Sequence, residues 1–128
     1  MTIKGVAPGV KIVNLRALDA YGRGTDSAVI AAIQRAIELK STYNIRVLNL
    51  SLGRGIFESY ASDPLCRAVE DAWKAGIVVV VAADNFGRDN SSSNQGYGTI
   101  TAPGNHPYVV PDPAGDGGAR RTAEADRS

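Results

Sequence analysis

An aspartate and an asparagine stand side by side at the end of the most apolar stretch of this sequence. Residues 77–87 are IVVVVAADNFG, so Asp84 and Asn85 follow a run of mostly β-branched residues. The run is too short for an ordinary helix and predicts a strand buried on both faces, as in the centre of a parallel sheet. Open α/β sheets bind ligands in the crevice outside the carboxyl ends of their strands. We therefore expect any chemistry of this chain near Asp84 and Asn85.

Few other side chains have the chemistry of a base or a nucleophile. His106 is the only histidine, so any histidine acid–base step must use it, but its place in a proline-rich loop predicts an ordinary surface residue. The serines at 91–93 lack the strained turn of a nucleophile elbow. Cys66 lies near the start of a predicted helix, where the dipole favours a thiolate, yet a buried, unreactive thiol is the expected state.

Acidic residues offer oxygen ligands but no recognisable metal motif. Asp19, Asp26 and the pair Asp89 and Asn90 do not have the spacing of an EF-hand loop. We therefore predict no metal and no cofactor.

Two helices are predicted from their caps and apolar stripes. Thr25, Asp26 or Ser27 caps the first, which extends to residue 40. Ser62 or Asp63 caps the second, with a proline in its first turn and Gly76 as the left-handed residue that ends it. The residues of the second helix predicted to face inward are Leu65, Ala68, Val69, Ala72 and Trp73.

The predicted strands alternate with these helices. Residues 10–18, 45–50 and the run from residue 77 give the order strand, helix, strand, helix, strand, and residues 108–110 begin a further strand. Right-handed crossovers then make a three-layer α/β fold with a parallel sheet covered by helices. The loops after the three strands should meet at one edge of the sheet.

Composition limits the partners and the number of domains. The chain has 128 residues and a formal net charge of +1, which gives no basic surface for nucleic acid or a membrane. No apolar run approaches the roughly 20 residues that span a bilayer. Residues 1–110 are the size of one domain, whereas residues 111–128 have alanine as their only strongly apolar type and predict a disordered tail.

Four segments, in this order, resemble the subtilisin family of serine proteases. They are GVAPGVKIV, VLNLSLG, AGIVVVVAADNFG and TAPGNHPYVV, which together cover residues 5–110. The resemblance implies a subtilisin-like α/β domain, peptide-bond hydrolysis, and an extended peptide or protein as substrate. It also implies a cis proline at Pro103.

The resemblance assigns roles to particular residues. Asn85 matches the asparagine whose amide donates to the oxyanion of the tetrahedral intermediate. The substrate cleft would lie between two segments that pair with a peptide by strand addition, and Ala83 and Asp84 would lie beside it. The two segments consist of Gly22, Arg23 and Gly24, and of Ser51, Leu52 and Gly53.

The same resemblance indicates an incomplete domain. The family's Asp, His and Ser motifs match no segment here, so we expect the middle of a protease domain that is inactive alone. Asp84 replaces a glycine of the family and either opposes oxyanion stabilisation or points to solvent. The alternative function is a non-catalytic peptide-binding module, or one that complements the missing parts of the domain. Calcium is common in the family, but no calcium motif is recognised.

Localisation stays open at this stage. The first eleven residues lack the features of a signal peptide, although members of the family are often secreted.

Overall fold

The sheet of this chain contains three parallel strands. The computed structural model describes residues 2–83 and 101–112. Strands β1 (Val47–Leu50), β2 (Val78–Ala82) and β3 (Val110–Asp112) lie in the order β1-β2-β3. Val47 pairs with Val78, and Val80 pairs with Val110. The predicted α/β fold with a parallel sheet is therefore confirmed, in an incomplete form.

Two helices begin at the predicted caps. Helix α1 (Asp26–Tyr43) starts after Thr25, whose hydroxyl accepts from the backbone N–H of Ala28, and ends at Asn44 in the left-handed region. Helix α2 (Pro64–Lys74) starts after Asp63, whose carboxylate accepts from the N–H of Leu65. These caps satisfy backbone donors that the first turn leaves free, which explains why both starts were predictable.

The core lies between the two helices and one face of the sheet. Val79 and Val81 of β2 are buried there, together with Leu50 of β1. Side chains of both helices complete the same cluster: Val29, Ile33, Leu65, Ala68, Val69 and Ala72. Trp73 was wrongly predicted to face inward. It is 45% exposed and stacks on Tyr108 with the ring centroids 4.3 Å apart.

The other face of the sheet is less covered than predicted. Val78 is 51% exposed, its pairing partner Val47 is 57% exposed, and Val110 is 52% exposed. In the part of the chain that the structure describes, the prediction of a strand buried on both faces is therefore wrong. Both helices lie on the opposite face, so this one has no helix layer among the described residues.

Residues 10–18 do not form the predicted strand. Val10 is 66% and Ile12 85% exposed, and no ladder of backbone hydrogen bonds joins the segment to the sheet. The apolar pattern was real, but a strand also requires a neighbour with which to pair.

Strand β3 extends to Asp112, two residues into the segment predicted as the tail. None of the described helices is long and apolar enough to cross a membrane.

Candidate functional site

A cleft of about 380 Å³ separates the two segments that were predicted to bind a substrate. Gly22, Arg23 and Gly24 line one side, and Ser51, Leu52 and Gly53 line the other. They approach each other because the first segment leads into α1, whereas the second follows β1, and α1 packs on the sheet. The structure thus brings all six residues together, and their role in binding stays a prediction.

The first wall of the cleft, residues 22–24, belongs to a turn that is stabilised by Asp19. Its carboxylate accepts from the backbone N–H groups of Tyr21 and Arg23, each at 2.9 Å. Gly22 lies in the left-handed region, with φ of 74°. A Cβ on Gly24 would lie 2.7 Å from the carbonyl oxygen of Ala17, so only glycine allows this approach. Asp19, once a candidate metal ligand, therefore has a structural role.

The second wall of the cleft, residues 51–53, is held in place by an isolated β-bridge between the next residue, Arg54, and Ala102. Arg54 and Ala102 exchange two hydrogen bonds of 3.0 and 2.9 Å in antiparallel fashion. A Cβ on Gly53 would lie 2.6 Å from the Oγ1 of Thr101, so any larger residue here would force Thr101 to move. The peptide bond between Ala102 and Pro103 is cis, as the resemblance implied.

Sequence reasoning missed two charged residues of the cleft, Asp26 and Arg54. Asp26 and Arg54 both line it, and the Nε of Arg54 donates to Asp26 at 2.7 Å. Its Nη2 donates to Asp63, which is fully buried, also at 2.7 Å. Burial lowers the pKa of Arg54, but the hydrogen bonds from its guanidinium to the two carboxylates outweigh this and raise it above its ordinary value. The partners are 28 and 9 residues away, so no local pattern could have revealed the cluster.

His106 was predicted at the surface, and that prediction is wrong. Its side chain is 1% exposed. Nδ1 accepts from the backbone N–H of Tyr108 at 3.2 Å, and Nε2 lies 3.5 Å from a carboxylate oxygen of Glu70. The ring is also in edge contact with Tyr60. Both nitrogens therefore face protein groups, and the histidine fixes the turn before β3 against α2.

The thiol of Cys66 is buried, in agreement with its expected structural role. Its Sγ lies 3.5 Å from the side-chain oxygen of Asn105. Burial, reinforced by the charge of Asp63, raises the pKa of Cys66 to about 11. The thiol is therefore protonated at neutral pH. Among residues 2–83 and 101–112, no group of three or more His, Cys, Asp and Glu side chains lies close enough to hold a metal ion.

Comparison with known proteins decides the family. The profile of the Subtilase family matches residues 1–111, which is most of the chain. The chain belongs to the subtilase family. Serine protease AprX of Bacillus subtilis (strain 168) is 34% identical over 112 residues, which are 84% of this chain and 24% of AprX. Subtilisin DY of Bacillus licheniformis is 37% identical over 95 residues, which are 74% of this chain and 32% of that protein.

Solved structures give the same fold. Sphericase superposes with a TM-score of 0.59 at 25% identity, over 74% of this chain and 27% of its own. The S41 psychrophilic protease superposes with a TM-score of 0.57 at 28% identity, over 74% of this chain and 28% of its own. This subtilase chain thus spans about a quarter to a third of the length of these four relatives.

The predicted oxyanion residue lies beyond what the structure describes of this subtilase. Ala83 follows β2 and is half-buried, but it is not among the described residues that line the cleft. Asp84 and Asn85 lie outside the described residues. So do the serines at 91–93 and the possible ligands Asp89 and Asn90.

Proposed function

We propose that this chain is the substrate-binding part of a subtilisin-like serine endopeptidase domain, and that it binds extended peptides without hydrolysing them when alone. One observation supports the proposal above all others. The segments 22–24 and 51–53, which are distant in sequence, face each other across one cleft. The six residues are exposed or half-buried, and a cleft between two such segments is suited to a peptide that lies between them in an extended form.

The state of the histidine supports the absence of hydrolysis. The chain contains one histidine, so a serine activated by histidine would need His106. That ring is buried, with one nitrogen accepting from a backbone N–H and the other facing Glu70. It has no nitrogen free to take the proton of a serine. Asn85, by resemblance, would donate to the oxyanion once the domain is complete.

The exposed face of the sheet supports the view that this peptide-binding chain also complements further parts of a protease domain. Parallel sheets are normally covered on both faces. Here Val47, Val78 and Val110 are each about half exposed. Further parts of a protease domain would bury these valines. If the chain complements such parts, peptide hydrolysis should appear when the chain is mixed with them.

Peptide binding tests the proposal directly. We expect the 128-residue chain to increase the fluorescence anisotropy of labelled extended peptides, and Ser51→Trp to weaken binding because the new ring fills the cleft. Ser41→Trp places the same ring on an exposed position of α1, away from the cleft, and should leave binding unchanged. Equal binding by both variants would contradict the proposed site.

Hydrolysis is tested on the same sample. We expect no cleavage of the bound peptides and no labelling by a serine-directed fluorophosphonate. Stoichiometric labelling with peptide cleavage would refute the claim that the chain is inactive alone.

A further inference from the structure

The ion pair between Asp26 and Arg54 joins the two walls of the cleft. Asp26 lies two residues after Gly24, in the first turn of α1, and Arg54 directly follows Gly53. Both residues line the cleft, and their charged atoms are 2.7 Å apart. The side chains therefore span the space between the walls at this point.

Arg54 is held in this position from several directions. Its Nη2 donates to the buried Asp63 at 2.7 Å, and its Nη1 donates to the carbonyl oxygen of Gly55 at 3.0 Å. Its own backbone is paired with Ala102. Every nitrogen of the guanidinium is engaged and the side chain is only 20% exposed, so it is not a free cation that waits for an acidic ligand. Its rigid position makes it part of the shape of the cleft.

Apolar side chains line the same cleft as the ion pair. Val29 and Leu65 line the cleft and are 5% and 1% exposed, and Leu18 and Leu52 line it as well. Without the side chain of Arg54, the cleft would be larger and these aliphatic side chains would form more of its lining. With it, the space for a ligand side chain is reduced.

We propose that Arg54 is a specificity-determining residue that closes one end of the cleft. The bound peptide then has a small, uncharged residue, glycine or alanine, where it meets the ion pair. A larger side chain collides with the fixed guanidinium. A charged side chain of either sign loses hydration without gaining a free partner, because Asp26 and Arg54 are already paired with each other. This inference rests on the proposed function, because it assumes that an extended peptide occupies the cleft.

The test uses a variant that opens the cleft without leaving a charge buried. Arg54→Ala combined with Asp63→Asn removes the guanidinium and its buried partner together, and asparagine caps a helix as well as aspartate does. Asp26→Ala is a second variant, which removes the ion pair that joins the two walls of the cleft. The side chain of Asp26 is 46% exposed, so we expect this variant to fold. Arg35→Ala removes an exposed arginine of α1 that is paired with Glu38, and serves as the control.

Binding is measured with short fluorescein-labelled peptides of alanine-rich sequence in which one position at a time is Gly, Ala, Leu or Phe. For the unmodified chain and Arg35→Ala, we expect one position at which Leu and Phe weaken binding about tenfold or more, as expected for a steric change in a pocket. The double variant should lose or reverse this preference, and Asp26→Ala should reduce it.

The outcomes separate the two claims. If the unmodified chain binds peptides but discriminates at no position, or if both variants keep its preference, the role of Arg54 is refuted and the proposed function stands. If none of the proteins binds any peptide, the proposed function fails and this inference fails with it. Far-ultraviolet circular dichroism of each variant verifies that it is folded. If the double variant is unfolded, Asp26→Ala alone decides.

Discussion

Replacement of Arg54 by alanine should destabilise the chain mainly through the carboxylate that it leaves behind. Asp63 is fully buried, and its Oδ1 accepts from Arg54 and from the backbone N–H of Leu65. Its Oδ2 has no partner among the described residues. Without Arg54, one backbone N–H is the remaining described donor to a buried negative charge.

The expected loss of free energy of unfolding depends on how deeply each partner of Arg54 is buried. Removing one partner of a buried ion pair costs about 3–5 kcal/mol. We expect about 3 kcal/mol for Arg54→Ala, the lower end, because the arginine itself is 20% exposed. The second pair of Arg54 involves Asp26, which is 46% exposed, so Asp26→Asn should cost only about 0.2–1 kcal/mol. Small domains have about 5–15 kcal/mol in total, so the first loss is large.

Urea unfolding at pH 7 gives these differences in free energy. Trp73 is the only tryptophan and stacks on Tyr108, so its fluorescence should report the loss of the packing between α2 and the segment before β3. Adding Asp63→Asn to Arg54→Ala should recover at least about half of the loss, because the buried charge disappears while the helix cap remains. Arg35→Ala is the control for loss of an exposed arginine.

Two results would refute this reasoning. One is an Arg54→Ala variant as stable as the Arg35→Ala control. The other is a double variant no more stable than Arg54→Ala alone, which would show that the stranded carboxylate of Asp63 is not the cause of the loss.

The remaining predictions concern close packing, a thiol and a buried ring. Gly53→Ala should cost about 1–3 kcal/mol in thermal unfolding, because its Cβ would lie 2.6 Å from the hydroxyl of Thr101, whereas Gly55→Ala has its nearest contact at 3.8 Å and should cost less. Cys66 should resist iodoacetamide at pH 8.5 in the folded chain, because its pKa is raised to about 11, and react fully in urea. His106→Phe should cost about 1–3 kcal/mol by leaving a backbone N–H without its acceptor.

Each of these expectations has a contradicting outcome. Unchanged stability of His106→Phe would disprove the contribution of its ring as the acceptor for the backbone N–H of Tyr108. Equal melting temperatures of the two glycine variants would disprove the close contact at residue 53. Alkylation of Cys66 at the rate of a small free thiol would disprove its burial.

The raised pKa of this thiol also has a consequence for stability. The contribution of the buried, protonated thiol to the free energy of unfolding is fully present below about pH 8.5, the ordinary pKa of a cysteine. It is then lost as the pH rises towards about 11.

Features set by neighbouring residues were predictable from the sequence. Thr25 and Asp63 cap helices because their side chains bond to N–H groups two or three residues away, and Gly76 ends α2 because it lies at a positive φ of 86°. Residues 22–24 and 51–53 were also predicted to lie near each other, and they do. The reason differs in part, because residues 22–24 are placed by the start of α1 and not by the strand predicted at residues 10–18.

Features set by distant partners were not predictable. Residues 10–18 have a strand-like pattern, but the pattern does not say whether a neighbouring strand exists. The spacing of apolar residues in α2 predicted that Trp73 faces the core. Its ring instead stacks on Tyr108, outside the core, and this contact depends on a segment that is distant in sequence. His106 was judged by its proline-rich loop, whereas its burial depends on α2, which reaches it only in the folded chain. Arg54 was not singled out, because its partners Asp26 and Asp63 are distant in sequence.

The two faces of the sheet explain why the cleft and the stability of this chain are connected. One face carries the whole described core, and the ion pairs of Arg54 fasten the cleft to the starts of both helices at the border of that core. The other face leaves Val47, Val78 and Val110 half exposed, so it contributes little burial. A partner that covers this face would stabilise the folded state by mass action without touching the cleft. Peptide binding should therefore strengthen when such a partner is added, because a larger fraction of the chain is then folded.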